Sequence, residues 1–161
     1  MHDKYFETAD FEGNLPIVHY DGSISESLKL RSKNAAEVES EIKNSRALCP
    51  AGLDGMASKE KEFLFVNFLQ TLQNDGVKII FWLAPFHPLS YGTVKNDPQC
   101  HLAIEAELFF RRIAQKNNIE VIGSYDPAKY NLTNNLFYDS IHPKRAAIRA
   151  IFEKDGLLIK Q

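Results

Sequence analysis

The stretch Val77-Lys78-Ile79-Ile80-Phe81-Trp82-Leu83-Ala84-Pro85 constrains this chain more than any other. It is a continuous apolar run broken by one lysine, not an alternation of apolar and polar residues. A strand with one wet face alternates, whereas a strand covered on both faces does not. The run therefore predicts a strand buried on both sides. Extended to Phe86 it is still about half of the roughly 20 residues that a bilayer-spanning helix needs, so no membrane segment is expected.

The flanking segments set the architecture around that strand. Upstream, Phe65, Leu69 and Leu72 recur at helical spacing beside Leu64 and Phe68. They predict a helix over about 59–74, with Ser58 as its N-cap and Asn74-Asp75-Gly76 as its stop. Downstream, Asp97-Pro98 opens a helix to about Asn117, with Leu102, Ala106, Phe109 and Ile113 on one face. Ile119 to Ile122 reads as a second short buried strand. After a long polar segment, Pro143 starts the last helix, whose Ala147, Ile148, Ile151 and Phe152 face the core. An earlier helix runs from near Asn34 to about Arg46, with Glu37 completing a capping-box-like start. Its apolar face (Ala35, Val38, Ile42) is thin, and Cys49-Pro50-Ala51-Gly52 breaks it. Leu15 to Tyr20 forms a short strand closed by the turn residues Asp21-Gly22-Ser23, and residues 1–13 are a loose lead-in.

Helices alternating with buried strands predict the α/β class: a three-layer domain, 1–161, in which helices flank a short parallel sheet. Right-handed crossovers bring the C-terminal ends of both strands to one edge, where open α/β sheets bind ligands. Pro85-Phe86-His87-Pro88 and Gly123-Ser124-Tyr125-Asp126 lie there.

Composition excludes more than it selects. A chain of 161 residues buries roughly two-thirds of its unfolded surface, so neither metal nor disulfide is required to hold a core. The net charge is -2 with both signs mixed along the chain, which argues against nucleic acid as a partner. Cys49 and Cys100 stand far apart and no Cys/His ligand spacing exists, so no metal site is expected. Two cysteines alone do not decide the redox compartment. His2, His19 and His101 show no ligand spacing to one another. Met1 to Gly13 lacks the layout of a signal peptide, and the chain as it stands reads as soluble and unexported. Without such a signal the glycosylation sequon at Asn131-Leu132-Thr133 carries little weight.

The chemistry concentrates in Phe137-Tyr138-Asp139-Ser140-Ile141-His142-Pro143. Histidine is the usual general base near pH 7. It needs a carboxylate to fix its tautomer and stabilise the imidazolium. Asp139, three residues upstream on a loop turning into a helix, can fold back onto Nδ1 and leave Nε2 free for a serine. A purely structural alternative has Asp139 or Ser140 capping the last helix and His142 simply preceding Pro143. His87, between two prolines at the ligand edge, is placed to hydrogen-bond a sugar hydroxyl or an acyl oxygen, or else to be satisfied by nearby backbone carbonyls. Ser124 lies at the same edge. Lys144 and Arg145 flank the loop and can attract an anionic polysaccharide, or remain solvated.

In order along the chain stand Asp21-Gly22-Ser23, Ala84-Pro85-Phe86-His87-Pro88, Val121-Ile122-Gly123-Ser124-Tyr125 and Phe137 to Arg145. Together they resemble the SGNH (GDSL) hydrolase superfamily over about residues 16–152, closest to bacterial members associated with cell-surface polysaccharides. That resemblance implies a flavodoxin-like fold, truncated here, and a D-x-x-H motif in which Asp139 and His142 are the acid and base of a serine triad. It implies a serine esterase or acyltransferase acting on O-acyl esters of polysaccharide, with no cofactor. Complete family members include envelope-associated proteins. The family's N-terminal G-D-S and its G-x-N-D are absent from this sequence. The chain therefore reads as the second half of a longer protein, with Ser23, in a scrambled echo of the serine motif or a plain polar turn, as the first in-chain candidate nucleophile. Ser124, at the sheet edge but without an elbow motif, stands behind it and is otherwise a substrate-binding candidate. The rival reading is a non-catalytic module of the same fold, binding carbohydrate or protein at the same edge. A nucleotide-binding, response-regulator-like domain fits poorly, lacking a glycine-rich phosphate loop and an acidic cluster. A truncated sheet exposes an edge strand, which allows a homodimer to form through it.

Overall fold

The computed structural model describes residues 14–19, 24–45, 58–97, 100 and 102–157. Its centre is a parallel pair of strands, β3 (Ile80–Leu83) and β4 (Glu120–Gly123), in register from Ile80 opposite Glu120 to Leu83 opposite Gly123. A separate antiparallel pair, β1 (Ile17–Val18) and β2 (Ile24–Ser25), forms a small hairpin. Asp21-Gly22-Ser23, expected above as a turn, lies outside the described residues.

Six helices surround these strands among the described residues: α1 (Leu28–Arg31), α2 (Ala35–Asn44), α3 (Lys59–Asn74), α4 (Pro88–Asn96), α5 (Leu102–Lys116) and α6 (Arg145–Lys154). Local chemistry explains their ends. Asn34 and Glu37 close a reciprocal capping box at the start of α2, and Ser58 accepts from the Lys61 amide at the start of α3; each satisfies an otherwise orphaned helix donor. Gly76, at φ 80°, turns the chain out of α3 in the left-handed region that glycine tolerates.

The sheet is covered on both faces. Side chains alternate along a strand, so Ile79, Phe81 and Val121 pack with Phe65, Leu69, Phe109 and Ile113 of α3 and α5. Ile80 and Ile122 pack on the other face with Phe137, Ala147 and Ile151. Gly123 ends the parallel ladder opposite Leu83. A Cβ there would lie 2.3 Å from the Leu83 carbonyl oxygen, and its φ is 81°.

Several elements depart from expectation. The strand begins at Ile80, not Val77, and Trp82 keeps 37% of its surface exposed, so it is not sealed on both faces. The segment after it is not loop alone: His87 caps α4, and Pro88 occupies its first turn, where a missing N–H costs nothing. The next helix is seen from Leu102, and its buried positions are Ala103, Glu107, Ile113 and Ala114, a face rotated from the expected one. Leu64 and Phe68 lie outside the buried face of α3. Pro143 does not begin the last helix; it bridges to Phe137, and α6 starts at Arg145, with Ile148 at its border with solvent. Cys100 is buried and disulfide-bonded, which sequence distance did not foretell; Cys49 lies outside the described residues.

Candidate functional site

Three loops meet at the C-terminal edge of the parallel pair, and backbone hydrogen bonds lace them together. The Phe86 amide donates to the Tyr125 carbonyl at 3.1 Å, and the His87 amide donates to the Ser140 carbonyl at 3.0 Å. The third loop closes on itself, since the Tyr138 amide donates to the His142 carbonyl at 2.9 Å and the Lys144 amide to the Leu136 carbonyl at 2.8 Å. Phe137, fully buried, pins its base into the core.

Asp139 does two jobs in that loop. Its Oδ1 accepts from the amides of Ile141 (2.9 Å) and His142 (2.8 Å), which folds the loop as an aspartate turn. Its Oδ2 lies 2.7 Å from His142 Nδ1. The capping and partnering roles are therefore combined rather than exclusive, although the capped segment is the loop and not α6. Burial would raise the Asp139 pKa. The hydrogen bonds from the His142 ring and from the Ile141 and His142 amides, with the charge of His142, outweigh burial and hold it below the usual range. An ionised carboxylate only accepts, so Nδ1 carries the proton and Nε2 of the neutral ring has a lone pair to offer. The His142 side chain is 47% exposed, and among the described residues nothing bonds Nε2.

His87 is far from Asp139 in the chain, close to its loop in space, and buried. Its ring is fully enclosed, stacks edge-on against Phe137 and accepts from the Leu89 amide through Nδ1 at 3.1 Å. Its Nε2 is buried with no hydrogen-bond partner among the described residues. Desolvation lowers its pKa, against the opposing pull of Glu39, the Asn134 carbonyl and Asp139. It is a helix cap beneath the site and does not present itself to a substrate. Ser124 is likewise enclosed, and its hydroxyl donates to Glu107 at 2.8 Å. It anchors a loop. Lys144 donates to the Asn135 carbonyl and sits over the Tyr138 ring; Arg145 is exposed. Ser23 lies outside the described residues.

Glu107 was not foreseen. It is 7% exposed and gathers Ser124 Oγ, the Tyr125 amide at 2.8 Å, Arg111 and Lys129. Burial pushes its pKa up, but those donors outweigh burial and lower it. Arg111 also donates to the Gly123 carbonyl at 2.7 Å, and the Gly123 amide donates to Asp155 at 2.8 Å. The loop after β4 is thus held by charges beneath it. The available signal was Glu107, one helical turn from Ala103 and on its buried face while Glu105 points elsewhere, since buried acids are almost always paired.

No protein-family model, curated protein or solved structure matches this chain.

Proposed function

We propose that this chain carries the acid–base half of a serine ester hydrolase or acyltransferase, of the flavodoxin-like SGNH type, acting on O-acyl esters of a surface polysaccharide. The observation that carries the reading is the 2.7 Å contact from Asp139 to His142 Nδ1, with the rest of the ring open to solvent at the ligand edge of the sheet. In the reaction, a serine hydroxyl gives its proton to His142 Nε2 as its oxygen attacks the acyl carbonyl. The proton passes to the departing sugar oxygen, leaving an acyl-serine that water or an acceptor hydroxyl cleaves. Asp139 holds the ring and stabilises its cationic form.

The nucleophile is either Ser23 or a serine outside this sequence, and the same assay separates them. Turnover of p-nitrophenyl acetate by the product of the complete reading frame is expected to fall about 10⁴-fold in Asp139→Asn, where the wrong tautomer is favoured. The 161-residue chain alone is expected to show little or no turnover. Unchanged activity in Asp139→Asn and His142→Ala overturns the proposal. Robust activity of the isolated chain that Ser23→Ala abolishes makes Ser23 the nucleophile.

One observation favours a second reading. No described hydroxyl bonds His142 Nε2, as a module that binds carbohydrate or protein without acting on it would also show. Such a module would bind its ligand equally well with Asp139→Asn.

A further inference from the structure

A cavity of about 290 Å³ opens beside the Asp139–His142 loop, between the C-terminal end of α2 and the first turns of α4. Ile42 and Lys43 form one wall, Leu89, Ser90 and Thr93 another, and Ser140 closes it on the loop side. Ser140 directly follows Asp139, so whatever fills the cavity is one residue from the acid–base pair.

Two features mark it as a seat for a ligand. Ser90 is only 6% exposed, and its hydroxyl has no hydrogen-bond partner among the described residues. Buried polar groups in native proteins are nearly always satisfied, and the exceptions call for a reason. The hydroxyl is turned away from solvent, and a change of its χ1 rotamer would carry it to a ligand hydroxyl or carboxylate in the adjoining cavity that Ser90 lines. The second feature is charge. Ser90 lies in the first turn of the nine-residue α4, where the helix favours negative charge. Lys43 lines the opposite wall, and its mostly exposed ammonium, 3.8 Å from Glu39, is within a side chain's swing of the opening. Glu39 is itself engaged by Asn134 at 2.7 Å. Ile42 and Leu89 supply apolar surface for the carbon face of a ring.

We infer that this cavity is a specificity pocket for one carboxylate-bearing sugar ring, with Ser90 and Lys43 as its polar contacts. The volume sits at the small end of the roughly 300–1,000 Å³ of ligand pockets, which fits a single ring and not a longer stretch of chain. The inference rests on the proposed polysaccharide ester chemistry and makes the substrate's anchoring sugar acidic.

Binding is read on the whole chain by amide chemical shifts, with methyl β-D-glucuronide as probe and methyl β-D-glucoside as its neutral control. Saturable shifts are expected at Leu89, Ser90, Thr93 and Ser140, with the acidic glycoside at least fivefold tighter. Ser90→Ala is expected to weaken it about tenfold, the scale of one hydrogen bond to a charged group, and Lys43→Gln to remove the preference for the acid. Thr93→Phe, a change at an exposed position, fills the cavity without touching the core and is expected to abolish the shifts. Shifts that do not saturate, that survive Thr93→Phe, or that are equal for both glycosides overturn the inference. His142→Ala is expected to leave binding intact. Lost binding beside His142-dependent turnover therefore sinks the pocket alone, and intact binding beside His142-independent turnover sinks the catalytic reading alone.

Discussion

The two faces of the central sheet are built differently. On the face toward α6, Phe137, Ala147 and Ile151 are completely enclosed and Ile122 nearly so. On the face toward α3 and α5, aromatic rings dominate: Phe65 lies between Phe81, Phe109 and Phe110 at centroid distances of 6.0–6.5 Å. There the enclosed positions belong mostly to α5, while α3 leaves Phe63, Leu64 and Phe68 largely in solvent. The Asp139–His142 loop grows from the first face, directly on Phe137. A site that must hold a ring to within a hydrogen bond is placed where packing leaves least freedom, as preorganised groups require. The second face serves the site through charge instead, since Glu107 and Arg111 of α5 hold the loop after β4.

The largest effect is expected where the faces join. Gly123→Ala adds a Cβ that meets backbone, not a flexible side-chain tip, at 2.3 Å. It also places alanine at φ 81°, where a non-glycine residue is strained by about 1–3 kcal/mol before any clash. The variant is expected not to reach the native fold, read as loss of amide dispersion and of a cooperative urea transition. A folded Gly123→Ala with unchanged midpoint would mean that the strands do not approach here as described.

A smaller effect tests the charges under the site-bearing edge. Glu107→Gln keeps the shape but leaves Arg111, Lys129 and the Tyr125 amide with a weaker acceptor, so a loss of about 1–3 kcal/mol at pH 7 is expected. The folded pKa of Glu107 lies below its unfolded one. Its contribution is therefore complete above the ordinary carboxylate range and vanishes as pH falls through the folded value. Asp139 acts in the same direction. The wild-type chain should lose stability on acidification below about pH 4–5, and Glu107→Gln should flatten that limb. Urea midpoints between pH 7 and pH 3 read it, and equal acid limbs in the two proteins would remove Glu107 from the account.

Much of this was legible in residues and some was not, for physical reasons. The two apolar runs announced parallel strands, because elements packing on both sides remove alternation even where Trp82 stays partly exposed; Asn34-to-Glu37 and Ser58 announced helix starts, because caps are local chemistry. The Asp139–His142 contact was legible for the same reason, since a three-residue turn carries it. α4 was not. Pro88 read as part of a rigid loop, yet it sits in the first turn, where it is harmless, and His87 supplies the cap. Glu107 and Ser124 escaped because their meaning is tertiary: the partners are 17 residues apart. His87 was read as a hydrogen-bonding contact for substrate or as a ring satisfied by nearby carbonyls, and enclosure against Phe137 rules out the first.

The smallest expected effect separates two neighbours on α3. Leu69 is 3% exposed and packs in the aromatic-rich core, whereas Phe68 is 57% exposed. Truncating Leu69 to alanine creates a cavity, and about 2–5 kcal/mol should be lost. Truncating Phe68 removes a ring that is more than half in water already, and alanine is the better helix former by roughly 0.5 kcal/mol. The lost partial burial and the gained propensity nearly cancel, so Phe68→Ala is expected to shift stability by no more than about 0.5 kcal/mol. The pair shares helix and chain position, so the contrast isolates burial. If Phe68→Ala instead costs as much as Leu69→Ala in urea melts of the chain at low micromolar concentration, the outer face of α3 is covered in solution. The contrast between a closed face and an open one then fails on that side of the sheet.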